Sequence, residues 1–262
     1  MQKISAVIIT KNEEKIIAKC LGSLKWVNEI IVIDCGSEDN TVEIAKQYGA
    51  KVYFNEWQGY AKQKNFGIAK AKNDWILSLD ADEIMTDELI DEIKSLPDSG
   101  TGKSGFFIAR KNMYYGKWLR YGKVYPDKQL RLFNKHAGNF GDVEIHECVN
   151  IKGATDILKN PMIHYTKDSI KEHIECVNKY STLHADMLLK KGYYPTGRSI
   201  FLKPFFHFLK RYFLKLGFLD GYHGLVHHAI SAMCIYKTQV KVMKKLGLGK
   251  VYLLRTLLKK AK

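Results

Sequence analysis

Runs of consecutive apolar residues alternate with amphipathic stretches through the first part of the chain. Each run is short and apolar, which predicts a buried strand, and the stretches between runs have the spacing of helices. Strands of this kind are typical of a parallel sheet that is covered by helices on both faces. The pattern therefore predicts an α/β fold with a mostly parallel central sheet. The predicted strands are 5–10, 29–34, 51–54 and 74–79, and the predicted helices are 13–22, 59–71 and one that begins near Thr41.

A region with shorter strand patterns follows. Residues 98–105 are rich in Gly, Ser and Thr and predict a loop. Three strand-like pieces come after this loop and predict a mixed-sheet extension of the same domain. These pieces are 105–110, 129–133 and 143–151.

The C-terminal part of the chain has a helical pattern. Helical spacing runs from 168 to 191, and beyond Pro195 Phe and Tyr are interleaved with Lys and Arg. This change of pattern divides the chain into a sheet domain and a helical C-terminal extension. We place the sheet domain at 1–165, with halves at 1–97 and 98–165, and the extension at 166–262.

Positive charge is concentrated in the last quarter of the chain. The net charge is +15, and residues 201–262 contain thirteen Lys or Arg against one acidic residue. Basic and aromatic side chains together suit the surface of an anionic membrane. Nucleic acid would attract the same side chains, but no RNA-binding or zinc-finger motif is present, so we expect a membrane and no nucleic acid. The alternative is a pair of helices that pack on the sheet domain with solvated lysines.

The remaining sequence features predict a cytoplasmic protein. Five scattered cysteines without a CxxC spacing indicate neither a zinc site nor disulfides. A strand-like run directly after the N-terminus predicts that there is no signal peptide, and the longest weakly charged stretch, 221–236, is too short to span a bilayer. His223 and His227 are one helical turn apart, but no acidic residue is nearby, so exposed or interfacial histidines explain them better than a metal pair.

Polar side chains end three of the predicted strands. Open parallel sheets bind ligands beyond the carboxyl ends of their strands, so these side chains should converge on one edge. Together they predict a polar ligand that carries phosphate. They are Thr10, Lys11 and Glu13 after the first strand, Asp34 after the second, and Asp80 and Asp82 after the fourth.

Asp80 and Asp82 place two like charges at the end of an apolar strand. Two carboxylates this close repel each other unless a cation lies beside them. The chain has no glycine-rich loop of the G-x-G-x-x-G or P-loop type to hold a diphosphate. Carboxylate oxygens suit Mg²⁺ or Mn²⁺, which bridges a pyrophosphate and stabilises a departing nucleoside diphosphate. A solvated strand end is the simpler alternative.

Four motifs in sequence order resemble those of family 2 glycosyltransferases. The resemblance covers about residues 4–165 and is nearest to bacterial enzymes that add a sugar, often glucose, to the heptose of the lipopolysaccharide inner core. It implies a GT-A fold, a nucleotide-sugar donor, a divalent metal and inversion at the anomeric carbon. The motifs are VIITKNEE at 7–14, IDCGSEDNT at 33–41, the pair Lys64 and Asn65, and LDADE at 79–83.

The resemblance implies roles for residues in the first two motifs. Thr10, Lys11 and Glu13 would line the nucleoside pocket, and Asp34 would contact a uracil-type base. Cys35 stands where many members have Ser or Asp, which leaves the assignment of Asp34 intact. The half 1–97 would therefore bind the donor, and 98–165 the acceptor.

The other two motifs would hold the diphosphate end of the donor. Lys64 and Asn65 are expected near the base or the pyrophosphate. Asp80 is expected beside the ribose and the metal, and Asp82 is the principal metal ligand that the resemblance implies. Arg131 alternates with apolar neighbours and is expected to reach a phosphate of the donor or the acceptor.

Inversion requires a general base that takes a proton from the acceptor hydroxyl. The segment 141–148 resembles the Val-His-Glu element of the lipopolysaccharide-core enzymes, with Ile in place of Val. We predict Glu147 as the base and His146 as an additional metal or phosphate contact. Asp142 and Glu144 are the alternative bases.

These observations predict an inverting, metal-dependent transferase that works at the inner face of the cytoplasmic membrane. It would move a hexose from a UDP-linked donor to a lipid-linked saccharide such as the lipopolysaccharide core. An alternative acceptor is a polyprenyl phosphate or another surface glycan. A non-catalytic basic protein that binds membranes or nucleic acid is the alternative of a different class.

Overall fold

The structure is a computed structural model of the chain, and it describes residues 3–96, 102–141, 149–249 and 252. The packing divides the chain into two compact units. The sheet unit comprises Met1–Lys111 and Pro126–Tyr165, and the helical unit comprises Asn112–Tyr125 and Thr166–Lys262. The segment 112–125 groups with the C-terminal helices and not with the strands that precede and follow it in the sequence.

The first eighty residues form alternating strands and helices, as the pattern predicts. The elements are β1 Ile4–Thr10, α1 Ile17–Gly22, β2 Glu29–Asp34, α2 Thr41–Gln47, β3 Lys51–Phe54, α3 Tyr60–Lys70 and β4 Trp75–Asp80. The first helix begins at Ile17 and not at residue 13, because the backbone before it is bonded to another loop: Glu13 N–H donates to Thr41 Oγ1 and Glu14 N–H to Asp39 Oδ2.

The rest of the sheet unit is built from strands of two to twelve residues. They are β5 Glu83–Ile84, β6 Lys103–Tyr114, β8 Asp127–Asn134, β9 Gly138–Phe140, β10 Val149–Ile151, β11 Ala154–Ile157 and β12 Met162–Lys167, with the helix α4 Asp87–Lys94. The main sheet has the order β3-β2-β1-β4-β8-β6-β12-β5. The neighbours from β3 to β4 are parallel and β8 is antiparallel to β4, so the sheet is mixed beyond its first four strands.

Both faces of the sheet are buried. Alternate residues of β1 enter two different apolar clusters: Ala6 and Ile8 belong to one, and Val7 belongs to the other. Helix α3 lies very close to the second face, since a Cβ at Gly67 would come within 2.4 Å of Val7 Cγ1. This close approach fixes the position of α3, which carries two of the predicted site residues.

The helical unit contains the extension that the sequence predicts. Its elements are β7 Lys117–Trp118, α5 Ile170–Lys190, α6 Gly197–Leu209, a π-helical turn Lys210–Leu214, a 3-10 turn Gly217–Asp220 and α7 Gly221–Lys245. Asp220 explains why 112–125 belongs to this unit, because its buried carboxylate accepts the backbone N–H groups of Arg120 and Tyr121. In the described part of the chain, no helix is both long and apolar enough to cross a membrane.

The histidines of α7 are packed inside the helical unit. The His227 ring lies 4.4 Å from the Tyr114 ring and 5.7 Å from the His173 ring, measured between centroids. His228 is buried. His223, the other residue of the predicted pair, is half-buried, and its ring lies 6.4 Å from the Tyr115 ring. Nowhere in 3–96, 102–141 or 149–249 do three or more His, Cys, Asp and Glu side chains come together in a way that could hold a metal ion.

Candidate active site

Thr10 and Asp34 lie opposite each other at the carboxyl ends of β1 and β2. The Asp34 carboxylate accepts the backbone N–H groups of Gly36 at 2.9 Å and Ser37 at 3.0 Å, so it shapes the turn after β2. The Thr10 hydroxyl is buried and has no hydrogen-bond partner in the part of the chain that the structure describes. Buried polar groups are usually paired, so this hydroxyl is a place where a ligand could bind.

The loops after β1 and β2 are fastened to each other. Asn12 N–H donates to Ser37 Oγ, and Glu38 N–H donates to Asn12 Oδ1. Asn12 has a left-handed backbone, with φ of 56°. Lys11 is exposed beside it, and Glu13 is half-buried. The two loops thus form one polar rim that contains four of the predicted donor-binding residues.

Asp80 is held by two buried cations. Lys64 Nζ from α3 lies 2.9 Å from Asp80 Oδ1, and Arg131 Nη2 from β8 lies 2.6 Å from Asp80 Oδ2. Desolvation alone would raise the pKa of Asp80, but the charges of Arg131 and Lys64 and their hydrogen bonds outweigh it. The pKa of Asp80 is therefore held far below its usual range, and the carboxylate stays ionised.

Glu83 extends this network, although the sequence assigned it no role. It is 0 % exposed, its Oε1 contacts Arg131 and also lies 3.2 Å from Arg110 Nη1, and its Oε2 accepts the backbone N–H of Asp80. Arg110 in turn pairs with Asp127 at 2.6 Å. Burial would lower the pKa of Arg131, but Asp80 and Glu83 raise it instead. Opposite charges thus alternate through the network, which makes their burial tolerable.

Asp82 has a different environment from Asp80. Its Oδ1 is buried and has no hydrogen-bond partner among the described residues, and its Oδ2 lies 3.4 Å from His164 Nε2. The strand β12 brings His164 there, because Tyr165 N–H donates to the carbonyl of Asp82. A buried carboxylate oxygen that lacks a donor, next to an imidazole nitrogen, is a suitable pair of ligands for a divalent cation.

These two donors suit a Mg²⁺ or Mn²⁺ ion whose other ligands are water and substrate. They do not form a closed site in which protein side chains supply every ligand. Mg²⁺ usually keeps several waters and binds proteins through one or two carboxylates and the phosphates of a substrate. Both oxygens of Asp80 already contact cations, so Asp82 is the better placed of the two aspartates that were predicted as metal ligands. His164 was missed by the sequence analysis, which has no pattern that connects it with a residue so distant along the chain.

Asn65 makes contacts of another kind. Its Nδ2 donates to the Phe140 carbonyl at 2.9 Å, and its Oδ1 accepts the Phe140 N–H at 3.0 Å, so α3 is fastened to β9. The Phe140 ring centroid lies 5.2 Å from Lys64 Nζ. The donor-binding role of Asn65 stays a prediction. Glu147, His146, Asp142 and Glu144 lie outside the described residues.

A family model and several known proteins match the sequence of this chain. The model of the family "Glycosyl transferase family 2" matches residues 5–150. The chain is 34% identical to an uncharacterised glycosyltransferase of Rickettsia typhi over 254 residues, which cover 92% of this chain and 87% of that protein. It is 28% identical to the lipopolysaccharide core biosynthesis glycosyltransferase LpsC of Rhizobium meliloti, over 89% of this chain and 92% of that protein.

Solved structures of glycosyltransferases are similar to this chain at lower levels. S. aureus TarS 1-349 in complex with UDP is 15% identical, with a TM-score of 0.48 over 95% of this chain and 93% of that one. Glucosyl-3-phosphoglycerate synthase of Mycobacterium tuberculosis, in complex with Mn²⁺, UDP and glucosyl-3-phosphoglycerate, is 24% identical. Its TM-score is 0.36 over 43% of this chain and 44% of that one.

The family model spans more than half of the chain, from β1 to the second residue of β10. The matched region contains all four motifs that carry the predicted resemblance, and a lipopolysaccharide core enzyme is among the relatives. The resemblance that the sequence predicted is therefore confirmed. The chain is a member of glycosyl transferase family 2, with the α/β fold of the GT-A type.

Proposed function

We propose that the protein is an inverting, metal-dependent hexosyltransferase that uses a UDP-linked donor. Its proposed acceptor is a lipid-linked saccharide such as the lipopolysaccharide core. One observation carries the proposal: the Asp82 carboxylate, just after β4 and beside His164, has a buried oxygen with no hydrogen-bond partner among the described residues. This is the edge of the sheet at which a nucleotide would bind.

The polar rim would bind the nucleoside. The unpartnered hydroxyl of Thr10 supports a hydrogen bond with the nucleoside, and Lys11 and Glu13 flank it. Asp34 would present the base with a carboxylate that its own turn already holds in place. Preorganisation of this kind lowers the entropic cost of binding.

Asp82 and His164 would hold the metal, with Asp80 as the further predicted ligand on the ribose side. The cation would neutralise charge on the departing diphosphate. Without it, the three cations Lys64, Arg110 and Arg131 face four carboxylates, those of Asp80, Asp82, Glu83 and Asp127, so the cluster has a net charge of −1. A cluster of that charge repels a diphosphate, and a divalent ion reverses its sign.

The transfer itself would follow from a single displacement. Glu147 takes the proton of the acceptor hydroxyl, the hydroxyl oxygen bonds to the anomeric carbon, and the bond from that carbon to the diphosphate oxygen breaks. The electron pair leaves with the diphosphate. Attack from the opposite side inverts the anomeric centre. Because the proposed acceptor is lipid-linked, we place the protein at the cytoplasmic face of a membrane.

The test is Mn²⁺-dependent hydrolysis of a panel of UDP-sugars, which requires no acceptor. We expect one sugar to be hydrolysed by the wild type, and we expect Asp82→Asn to lose that activity by about a hundredfold or more. Asp91→Asn, an exposed carboxylate on α4, is the matched control and should retain it. Undiminished hydrolysis by Asp82→Asn, or hydrolysis that chelation leaves intact, would contradict the proposal.

A further inference from the structure

Large apolar side chains are exposed along one continuous segment of the helical unit, residues 201–225. Leu214, at 75 %, is the most exposed large apolar side chain in the described part of the chain. Soluble proteins rarely expose so much apolar surface in one place without a function for it. We call the following side chains, each more than half exposed, the apolar ridge: Phe205, Phe206, Phe213, Leu214, Leu219 and Tyr222.

The ridge stands on a fixed support. Ile200 and Pro204 are the buried side of α6, which leaves Phe205 and Phe206 on the exposed side. Beyond α6 the backbone is held by Arg211, whose guanidinium donates to the carbonyl of Gly122 at 2.9 Å. Asp220 fastens the end of the segment through the backbone N–H groups that its carboxylate accepts. The exposed rings therefore belong to an ordered surface.

All exposed charge on this segment is positive. Lys203, Lys210 and Lys215 are exposed between the ridge residues. Asp220 is the only acidic residue of the segment, and it is 3 % exposed and hydrogen-bonded to backbone.

The lysines farther along the helical unit are arranged differently. Lys237 and Lys241 bond to Asn178, and Lys245 bonds to Asp186, so these three side chains of α7 are turned toward α5. Part of the basic charge that the sequence shows in 201–262 therefore serves the packing of two helices. Within the described residues of the helical unit, the segment 201–225 combines exposed lysines with the largest group of exposed apolar side chains.

We propose that the apolar ridge inserts into the surface of an anionic lipid bilayer. Its rings and leucines would enter the interface, and Lys203, Lys210 and Lys215 would meet anionic headgroups. The inference deepens the proposed function and rests on it in one respect, because a lipid-linked acceptor has to be met at a bilayer surface. A second copy of the chain suits the ridge less well, since a twofold contact would bring exposed lysines together without acidic partners.

Vesicle sedimentation of the full chain tests the ridge. The wild type should bind vesicles that contain phosphatidylglycerol, less so at high salt, and bind pure phosphatidylcholine weakly. Phe206→Ser combined with Leu214→Ser should lower the partition coefficient by about tenfold or more. The matched control is Phe54→Ser with Ile157→Ser, at side chains that are 70 % and 48 % exposed in the sheet unit, and it should bind like the wild type.

The charge contribution has its own pair of variants. Replacing Lys203, Lys210 and Lys215 by Gln should weaken binding to anionic vesicles by about tenfold or more and flatten its salt dependence. Replacing Lys46, Lys94 and Lys128, which are exposed in the sheet unit, should leave binding unchanged. Thermal unfolding of each variant establishes that it is folded.

The outcomes separate this inference from the proposed function. The proposal that the ridge inserts into a bilayer is contradicted if the wild type does not bind anionic vesicles. It is also contradicted if a folded ridge variant binds them as well as the wild type does. A third contradicting result is a ridge variant that loses self-association in sedimentation velocity and still binds vesicles. That result would show that a second copy of the chain covers the ridge. A wild type that binds vesicles but hydrolyses no UDP-sugar supports the ridge and contradicts the transferase.

Discussion

The two units of the molecule bury ionisable side chains in opposite ways. In the sheet unit, Asp80 and Glu83 both form an ion pair with Arg131. In the helical unit, burial lowers the pKa of His173 to about 4 and that of His227 to about 3, with the Lys167 charge adding to the first shift and His228 to the second. Burial and the Arg211 charge lower the pKa of His228 to about 4.

The sheet unit stabilises buried charges, whereas the helical unit keeps its buried histidines neutral. The proposed donor site keeps buried charges by pairing them. Asp80 and Arg131 each move the pKa of the other further from neutrality, so both stay charged over the working pH range. The carboxylates of Glu172 and Asp220 act on His173 and His228, but burial outweighs them. These histidines and His227 are therefore neutral at pH 7. These neutral rings pack like an aromatic core, and their protonation at low pH should destabilise the helical unit.

The largest loss of stability should come from removing the positive charge of Arg131, which two carboxylates share. Arg131→Met leaves Asp80 and Glu83 without their shared cation, and we expect it to lower the free energy of unfolding of the sheet unit by about 3–5 kcal/mol. Urea unfolding followed by circular dichroism measures this loss. Lys128→Met, an exposed site on the same strand, should change the stability by less than about 0.5 kcal/mol. Equal losses in the two variants would mean that the network is not stabilised by pairing.

Acid should act on the helical unit before the sheet unit. Unfolded histidine takes up a proton near pH 6.5, whereas these folded histidines do so only near 4 or 3, so the unfolded state binds more protons between those values. Stability should therefore fall as the pH is lowered from 6.5 to 4, by about 3 kcal/mol in total after allowance for partial exposure. Urea unfolding at a series of pH values measures the slope. His227→Phe should make it shallower, and a flat profile in the wild type would contradict the assignment.

A smaller effect is expected for the neutral contacts of the sheet unit. Asn65→Leu removes two hydrogen bonds to Phe140 and should cost about 2 kcal/mol of stability. The same variant separates a structural role from the donor contact that the sequence predicts. If Asn65 serves only to fasten β9, the KM for the UDP-sugar should be unchanged at a temperature at which the variant is folded. A raised KM with unchanged stability would favour the donor contact.

The sequence predicted the parts of the fold that depend on local pattern. Apolar runs identified the four parallel strands. Three of them, β1, β2 and β4, are apolar because they are largely buried, whereas β3 lies at the edge of the sheet and is only partly buried. The start of α1 was placed too early, since hydrogen bonds to the loop 37–41 determine the conformation before it. The grouping of 112–125 with the helices depends on Asp220, a contact between residues about a hundred positions apart.

The site was predictable where motifs existed. Lys64, Asp80 and Arg131 were predicted separately, and the structure brings them together through side chains of α3, β4 and β8. Glu83 and His164 were missed for different reasons. Glu83 is part of the quoted motif, but its role depends on Arg110 and Arg131, and His164 reaches Asp82 only through the pairing of β12 with β5.

The central claim is that Asp82 and His164 form a divalent metal site that completes the donor pocket. Titration with Mn²⁺ in the presence of UDP, followed by the electron paramagnetic resonance signal of free Mn²⁺, tests it most directly. We expect the wild type to bind the ion, Asp82→Asn and His164→Phe to weaken binding by about 10–100-fold, and Asp91→Asn to have no effect. Binding by Asp82→Asn with the affinity of the wild type would contradict the account.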